Sequence, residues 1–107
     1  MILNELEQIH NLSKAHKIQM TDHALKRANE RSIDILTDIL PALKRCEIIE
    51  EYPQSARLPS CLICGQSLKQ MPLHNVTGYD EEYLYAVTAY YPEPDKWEND
   101  FKTRRVK

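Results

Sequence analysis

The sequence is poor in glycine, with two in 107 residues, and it holds one tryptophan and one phenylalanine. So little glycine excludes a glycine-rich loop cradling phosphates, where the backbone must approach the anion closely. No uncharged apolar run approaches the ~20 residues that a membrane-spanning helix needs. The opening MILNELEQIHNL lacks the basic start and long apolar core of a secretory signal. The expected location is therefore the cytoplasm, with no membrane partner. Cys46, Cys61 and Cys64 are an odd number, and reduced thiols are expected. Cys61-Leu62-Ile63-Cys64 has the spacing of a zinc or redox pair. No second such pair exists, and residues three apart on a strand point to opposite faces. No pair of carboxylates has metal-site spacing; the adjacent Glu50–Glu51 and Glu81–Glu82 diverge on a strand and read as solvated. Neither a metal nor another cofactor is expected.

What remains is an ordinary globular composition, 42% apolar and 28% charged, in a length that suits one domain. The expected organisation is a single domain over 1–107, with an N-terminal helical extension (1–19), a core (20–101) and a basic tail (102–107). Charge is sorted along the chain. Residues 1–46 carry seven Lys/Arg against six Asp/Glu, residues 47–101 three against ten, and residues 102–107 four against none. The net charge of −2 is no signature of a plain electrostatic nucleic-acid binder.

Leu3, Leu6, Ile9 and Leu12 recur at helical spacing, which predicts a helix over 3–14. A second helix is expected from Thr21, a hydroxyl N-cap, to Arg31. A third follows Asp34, with Ile35, Leu36, Ile39, Leu40 and Leu43 as its apolar stripe. Pro41 inside that stripe predicts a kink or restart. After Cys46 the period changes, and strands are expected at 47–52, 60–67, 73–77 and 83–91. Short connections favour antiparallel pairing. Trp97 and Phe101, four apart, predict a short C-terminal helix. The expected fold is α+β: N-terminal helices on a small antiparallel sheet of about four strands.

Three groups of residues have chemical potential. His23, Arg27 and Arg31 follow one another at spacings of four on the second helix, an imidazole with two guanidinium groups, which suits a phosphodiester. The competing reading is a solvated face with Glu30 as ion-pair partner. His74, on a short strand, is a second imidazole, and metal-free RNA cleavage needs one group to take the 2′-hydroxyl proton and one to protonate the leaving 5′-oxygen. Packing or a structural hydrogen bond is the competing role. On the last strand, period two places Leu84, Ala86, Thr88 and Tyr90 on one side and Tyr83, Tyr85, Val87, Ala89 and Tyr91 on the other. Thr88 and Tyr90 offer a hydroxyl and a base-stacking ring, unless they serve only packing.

His23-Ala24-Leu25-Lys26-Arg27, Glu30-Arg31, EIIEEYP at 47–53, PSCL at 59–62, PLH at 72–74, TAYYP at 88–92 and Trp97 with Asp100-Phe101 together resemble the bacterial domain of unknown function 4258 family. The resemblance spans residues 20–105. Cys46 departs from it where a turn glycine is usual, Cys64 replaces an aliphatic residue, Asn75 replaces a valine, and the kinked third helix holds an extra residue. That family is similar to the RelE/BrnT-like toxin superfamily, whose members place helices on a small antiparallel sheet. The resemblance implies a toxin-like, mRNA-interferase-like endoribonuclease neutralised by an antitoxin protein. Its polar motif falls on His23, Arg27, Arg31, His74, Thr88 and Tyr90.

Two expectations follow. In the first, the chain cleaves RNA without a metal: His23 and His74 share acid and base duty with Arg27 and Tyr90 beside them, and Arg31 and Thr88 bind substrate. Lys102, Arg104 and Arg105 of the tail track the RNA backbone. In the second, the chain is a catalytically inactive toxin-fold module that holds a partner protein, its acidic residues 47–101 facing a basic surface. Convergence of the two histidines separates them.

Overall fold

The computed structural model describes residues 5–52 and 60–106. Helices dominate the first half: α1 (Glu5–Lys14), α2 (Asp22–Glu30), a π-helical turn (Ile35–Ile39) and α3 (Leu40–Lys44). The strands are β1 (Ile18–Met20), β2 (Glu47–Tyr52), β3 (Ser60–Gln66), β4 (Pro72–Tyr79) and β5 (Leu84–Tyr90). They form one sheet in the order β1-β5-β4-β3-β2. The α+β class agrees with the sequence reading, but the sheet is a correction. Among the described residues it has five strands and is mixed, because β1 adds a parallel edge against Leu84–Ala86. Three residues are too few to display a period of two.

Local chemistry explains the helices. Thr21 Oγ1 accepts from the Ala24 amide at 3.0 Å and opens α2, whose Ala24 and Ala28 are buried. Asp34 Oδ1 accepts from the amides of Leu36 (2.7 Å) and Thr37 (3.2 Å) and opens the π turn. There the hydrogen bonds reach back five residues, Ile39 N–H to Asp34 O and Leu40 N–H to Ile35 O. A π turn takes up one additional residue within a helix. Pro41, at the start of α3, then lacks the N–H that would reach Thr37 O. That carbonyl accepts instead from Leu68 N–H at 2.9 Å, which fastens the β3–β4 turn to the helix. The N-terminal segment is built into the core: Ile9 and Leu12 are buried alongside Leu43, Ile63 and Leu73.

Two β-bulges decide which side chains share a face. On β5 the register passes from Val76↔Thr88 to Thr77↔Ala86, which leaves Val87 as the extra residue. The strict alternation expected for this strand is therefore corrected. Leu84, Ala86 and Ala89 are buried, with Leu84 and Ala89 part of the helix-side core, while Thr88 and Tyr90 keep a common face opposite Val76 and His74. On β2 the register passes from Ile48↔Ile63 to Glu50↔Leu62, with Ile49 as the extra residue. Glu47, Glu50 and Tyr52 thereby share the face that bears Cys64, His74 and Tyr90.

The helices cover the other face. The His74 face is covered by the C-terminal segment, and here the expected short helix is a second correction. Residues 96–105 form a tight hairpin, with Trp97 bridged to Arg104 and the Glu98 amide bonded to Thr103 O at 2.7 Å. Asp100 Oδ1 accepts from the amides of Lys102 and Thr103, and Phe101 sits at φ 58°, which ends any helical run. Trp97 is buried against the domain from this hairpin rather than from a helix.

Candidate active site

His74 has no exposed surface, yet its ring is fully hydrogen-bonded. Nε2 lies 2.6 Å from Phe101 O. A carbonyl only accepts, so Nε2 carries the proton and Nδ1 of the neutral ring is an acceptor. The Tyr90 hydroxyl, 3.3 Å away, donates to it. The imidazole and the Trp97 ring meet edge to face, 4.4 Å between ring centres. Burial pushes the His74 pKa below 6.5, while the Phe101 carbonyl and the Glu50 carboxylate oppose that fall. Burial raises the Tyr90 pKa above 10, and nearby Arg104 works against the rise.

Tyr90 forms part of an open cleft of about 510 Å³, between the end of α2 and the C-terminal hairpin, that is also lined by Arg31, Lys96, Trp97 and Arg104. Arg31 terminates α2 and reaches the edge of β5, where its Nη1 donates to Ala89 O at 2.8 Å. That edge is open because β1 pairs only with Leu84–Ala86. Arg104 enters from the hairpin. It stacks 4.7 Å above the Trp97 ring and forms a fork to Glu50, Nε to Oε2 at 2.5 Å and Nη2 to Oε1 at 3.0 Å. Glu50 also accepts from the Tyr52 hydroxyl at 2.6 Å. The Arg104 bonds hold the Glu50 carboxyl below 4.5, and burial with the Glu50 contact pushes the Tyr52 hydroxyl up to about 12. The guanidinium is thus fixed in position, with N–H groups left over for an anion.

Residues 20–91 match the family described as Domain of unknown function (DUF4258). The chain belongs to the DUF4258 family. No curated protein and no solved structure matches it significantly. The matched span of this DUF4258 chain includes Arg31, Glu50, His74 and Tyr90, whereas the hairpin that brings Trp97, Phe101 and Arg104 lies beyond it.

Of the candidate residues, the DUF4258 structure gathers His74, Tyr90, Arg31 and Arg104. It does not bring His23 to His74. His23 is exposed on the first turn of α2, on the helix-covered side of the sheet, and His74 is buried on the opposite face. Arg27 is also exposed and lies 3.7 Å from Glu30, as the solvated-face reading had it. Thr88 is half-buried on the His74 face, opposite Val76. The basic tail is not a free arm. Lys102 pairs with Glu47 at 3.1 Å, Arg104 with Glu50, and Arg105 with Pro94 O at 2.9 Å and Glu98 at 3.5 Å. Glu50, read as solvated, and Tyr52 are the site residues missed. Among the described residues, no three His, Cys, Asp or Glu side chains gather into a group able to hold a metal. Cys61 and Cys64 fall on opposite faces of the sheet. No described helix is long and apolar enough to cross a membrane.

Proposed function

We propose that this DUF4258 protein is a metal-independent endoribonuclease of the RelE/BrnT-like kind, paired with an antitoxin. The observation that carries the reading is the Tyr90 hydroxyl, oriented by His74 in a cleft that Arg31 and Arg104 also line. The two guanidinium groups hold the scissile phosphate and stabilise the charge that builds on it. Tyr90 takes the 2′-hydroxyl proton as its own proton moves to His74 Nδ1. The 2′-oxygen attacks phosphorus, the 5′-oxygen leaves with a proton from solvent, and a 2′,3′-cyclic phosphate remains. The imidazolium formed in this step lies in the field of Glu50, which favours it. His74 acts behind Tyr90 as a positioning and proton-holding residue, and His23 has no part in the step.

The test is cleavage of a structured RNA by the purified full chain, with the product ends analysed. Tyr90→Phe keeps the ring and removes the hydroxyl. The expected loss is about 10²-fold or more, the usual contribution of a positioned acid–base group. His23→Ala is expected to cleave like the wild type. Cleavage undiminished in Tyr90→Phe would overturn the site, and an inert wild type would favour the inactive partner-holding module.

A further inference from the structure

We infer that a second cleft, bounded by the π turn, α3 and the β3–β4 turn, is a docking groove for an acidic, leucine-bearing segment of a partner protein. This inference does not rest on the nuclease reading. Three large apolar side chains stand out in solvent at this end of the molecule: Leu36 is 65% exposed, Leu68 68% and Met71 45%. Soluble proteins tolerate scattered exposed apolar residues, but clustered ones mark contact surfaces. Leu36 and Leu68 are clustered by construction, because Leu68 N–H bonds to Thr37 O. The turn that carries Leu68 and Met71 is itself closed by Ser67 N–H to Met71 O at 3.0 Å and Gln70 N–H to Ser67 O at 2.9 Å. Little ordering therefore remains to be done when a partner arrives, which favours binding.

The two leucines border a cleft of about 840 Å³ whose lining includes Pro41, Lys44, Arg45 and Pro72. Its charge selects the occupant. Glu47 in this lining is held by Lys102 at 3.1 Å, and Asp100 is turned onto the amides of Lys102 and Thr103 and the Thr103 hydroxyl. Lys44 and Arg45 have no carboxylate partner among the described residues. A chain with net charge −2 thus presents here an apolar groove whose lining carries three cations, Lys44, Arg45 and Lys102, against two carboxylates, Glu47 and Asp100, with both carboxylates already engaged and Lys44 and Arg45 without one. Glutamate or aspartate beside leucine-sized anchors meets both demands: the acids pair with Lys44 and Arg45, and the anchors cover Leu36 and Leu68.

The test titrates the isotope-labelled full chain with a short synthetic peptide bearing leucine at helical i, i+3 and i+4 positions and glutamate elsewhere. A second peptide has lysine in place of every glutamate. The glutamate peptide is expected to move the amide signals of residues 36–40, 42–45 and 65–71, and the lysine peptide to leave them in place. Leu36→Ser with Leu68→Ser, both at exposed positions, is expected to weaken binding about tenfold or more. Arg45→Glu is expected to reverse the preference between the peptides. Signals that stay still with the glutamate peptide, equal response to both peptides, or an RNA oligonucleotide moving the same amides would each overturn the inference. RNA cleavage separates this failure from that of the nuclease: the leucine variants should cleave normally, and Tyr90→Phe should bind the peptide normally.

Discussion

At the residue scale, the site is governed by burial acting against hydrogen bonding. His74 is kept neutral because its surroundings penalise charge more than the Phe101 carbonyl and Glu50 reward it. The consequence for stability has a definite sign. A histidine whose folded pKa lies below 6.5 binds fewer protons in the folded chain than in the unfolded one between those two values. Its contribution is therefore complete above pH 6.5 and is lost as the pH falls through the folded value. Glu50, held below 4.5 by Arg104, acts in a lower window: its contribution is present above pH 4.5 and lost as the pH falls through its own folded value. Arg104 is well exposed, so this pair contributes at most about 1 kcal/mol. Urea unfolding across a pH series is expected to show stability declining below pH 6.5 in the wild type. His74→Gln, which keeps a donor for Phe101 O, is expected to flatten that first decline and leave the Glu50 window in place. Equal slopes in the two proteins would remove His74 as the cause.

At the element scale, what could be read in advance was whatever depends on near neighbours in the chain. Thr21 and Asp34 announce their helices because a cap acts over three residues, and the strands at 47–52 and 84–90 announce themselves by β-branched and aromatic content. The bulges at Ile49 and Val87 were not legible, because counting by twos assumes an unbroken ladder. Trp97 and Phe101 mislead for a related reason. Spacing of four fits a helix, but it also fits a turn closed by Asp100 and a left-handed Phe101. His74, Tyr90 and Arg31 were identifiable as polar residues with chemical potential, whereas Glu50 was not. Its importance comes from Arg104, fifty-four positions away, and no local pattern reports that distance. Pro41 offers a test at this scale. Pro41→Ala restores an amide able to bond Thr37 O, in competition with Leu68 N–H. The Leu68 amide is expected to exchange faster with solvent in this variant, while global stability shifts by less than about 1 kcal/mol. Unchanged protection of Leu68 would show that the proline is not what frees the Thr37 carbonyl.

For the whole molecule, the sorting of charge along the chain finds its explanation in the closing hairpin. Three of the four cations of the basic end pair with carboxylates of the acidic stretch, through Glu47–Lys102, Glu50–Arg104 and Glu98–Arg105. These exposed pairs orient the segment more than they hold it, since each contributes little in water. The apolar contribution comes from Trp97, which is 3% exposed and closes over the His74 imidazole. Removing the indole should therefore do two things together. Trp97→Ala is expected to cost about 3–5 kcal/mol, the usual range for emptying a buried aromatic site. It should also admit water to His74, and with the burial penalty reduced the imidazole pKa should climb toward 6.5. Trp97→Phe keeps an aromatic cover, so its loss of stability should be smaller and its His74 should titrate nearer the wild-type position. Following the His74 ring protons by NMR through a pH titration of all three proteins separates the two effects. A drop in stability without movement of the His74 titration would mean that the hairpin shields the sheet but does not set the protonation of the site.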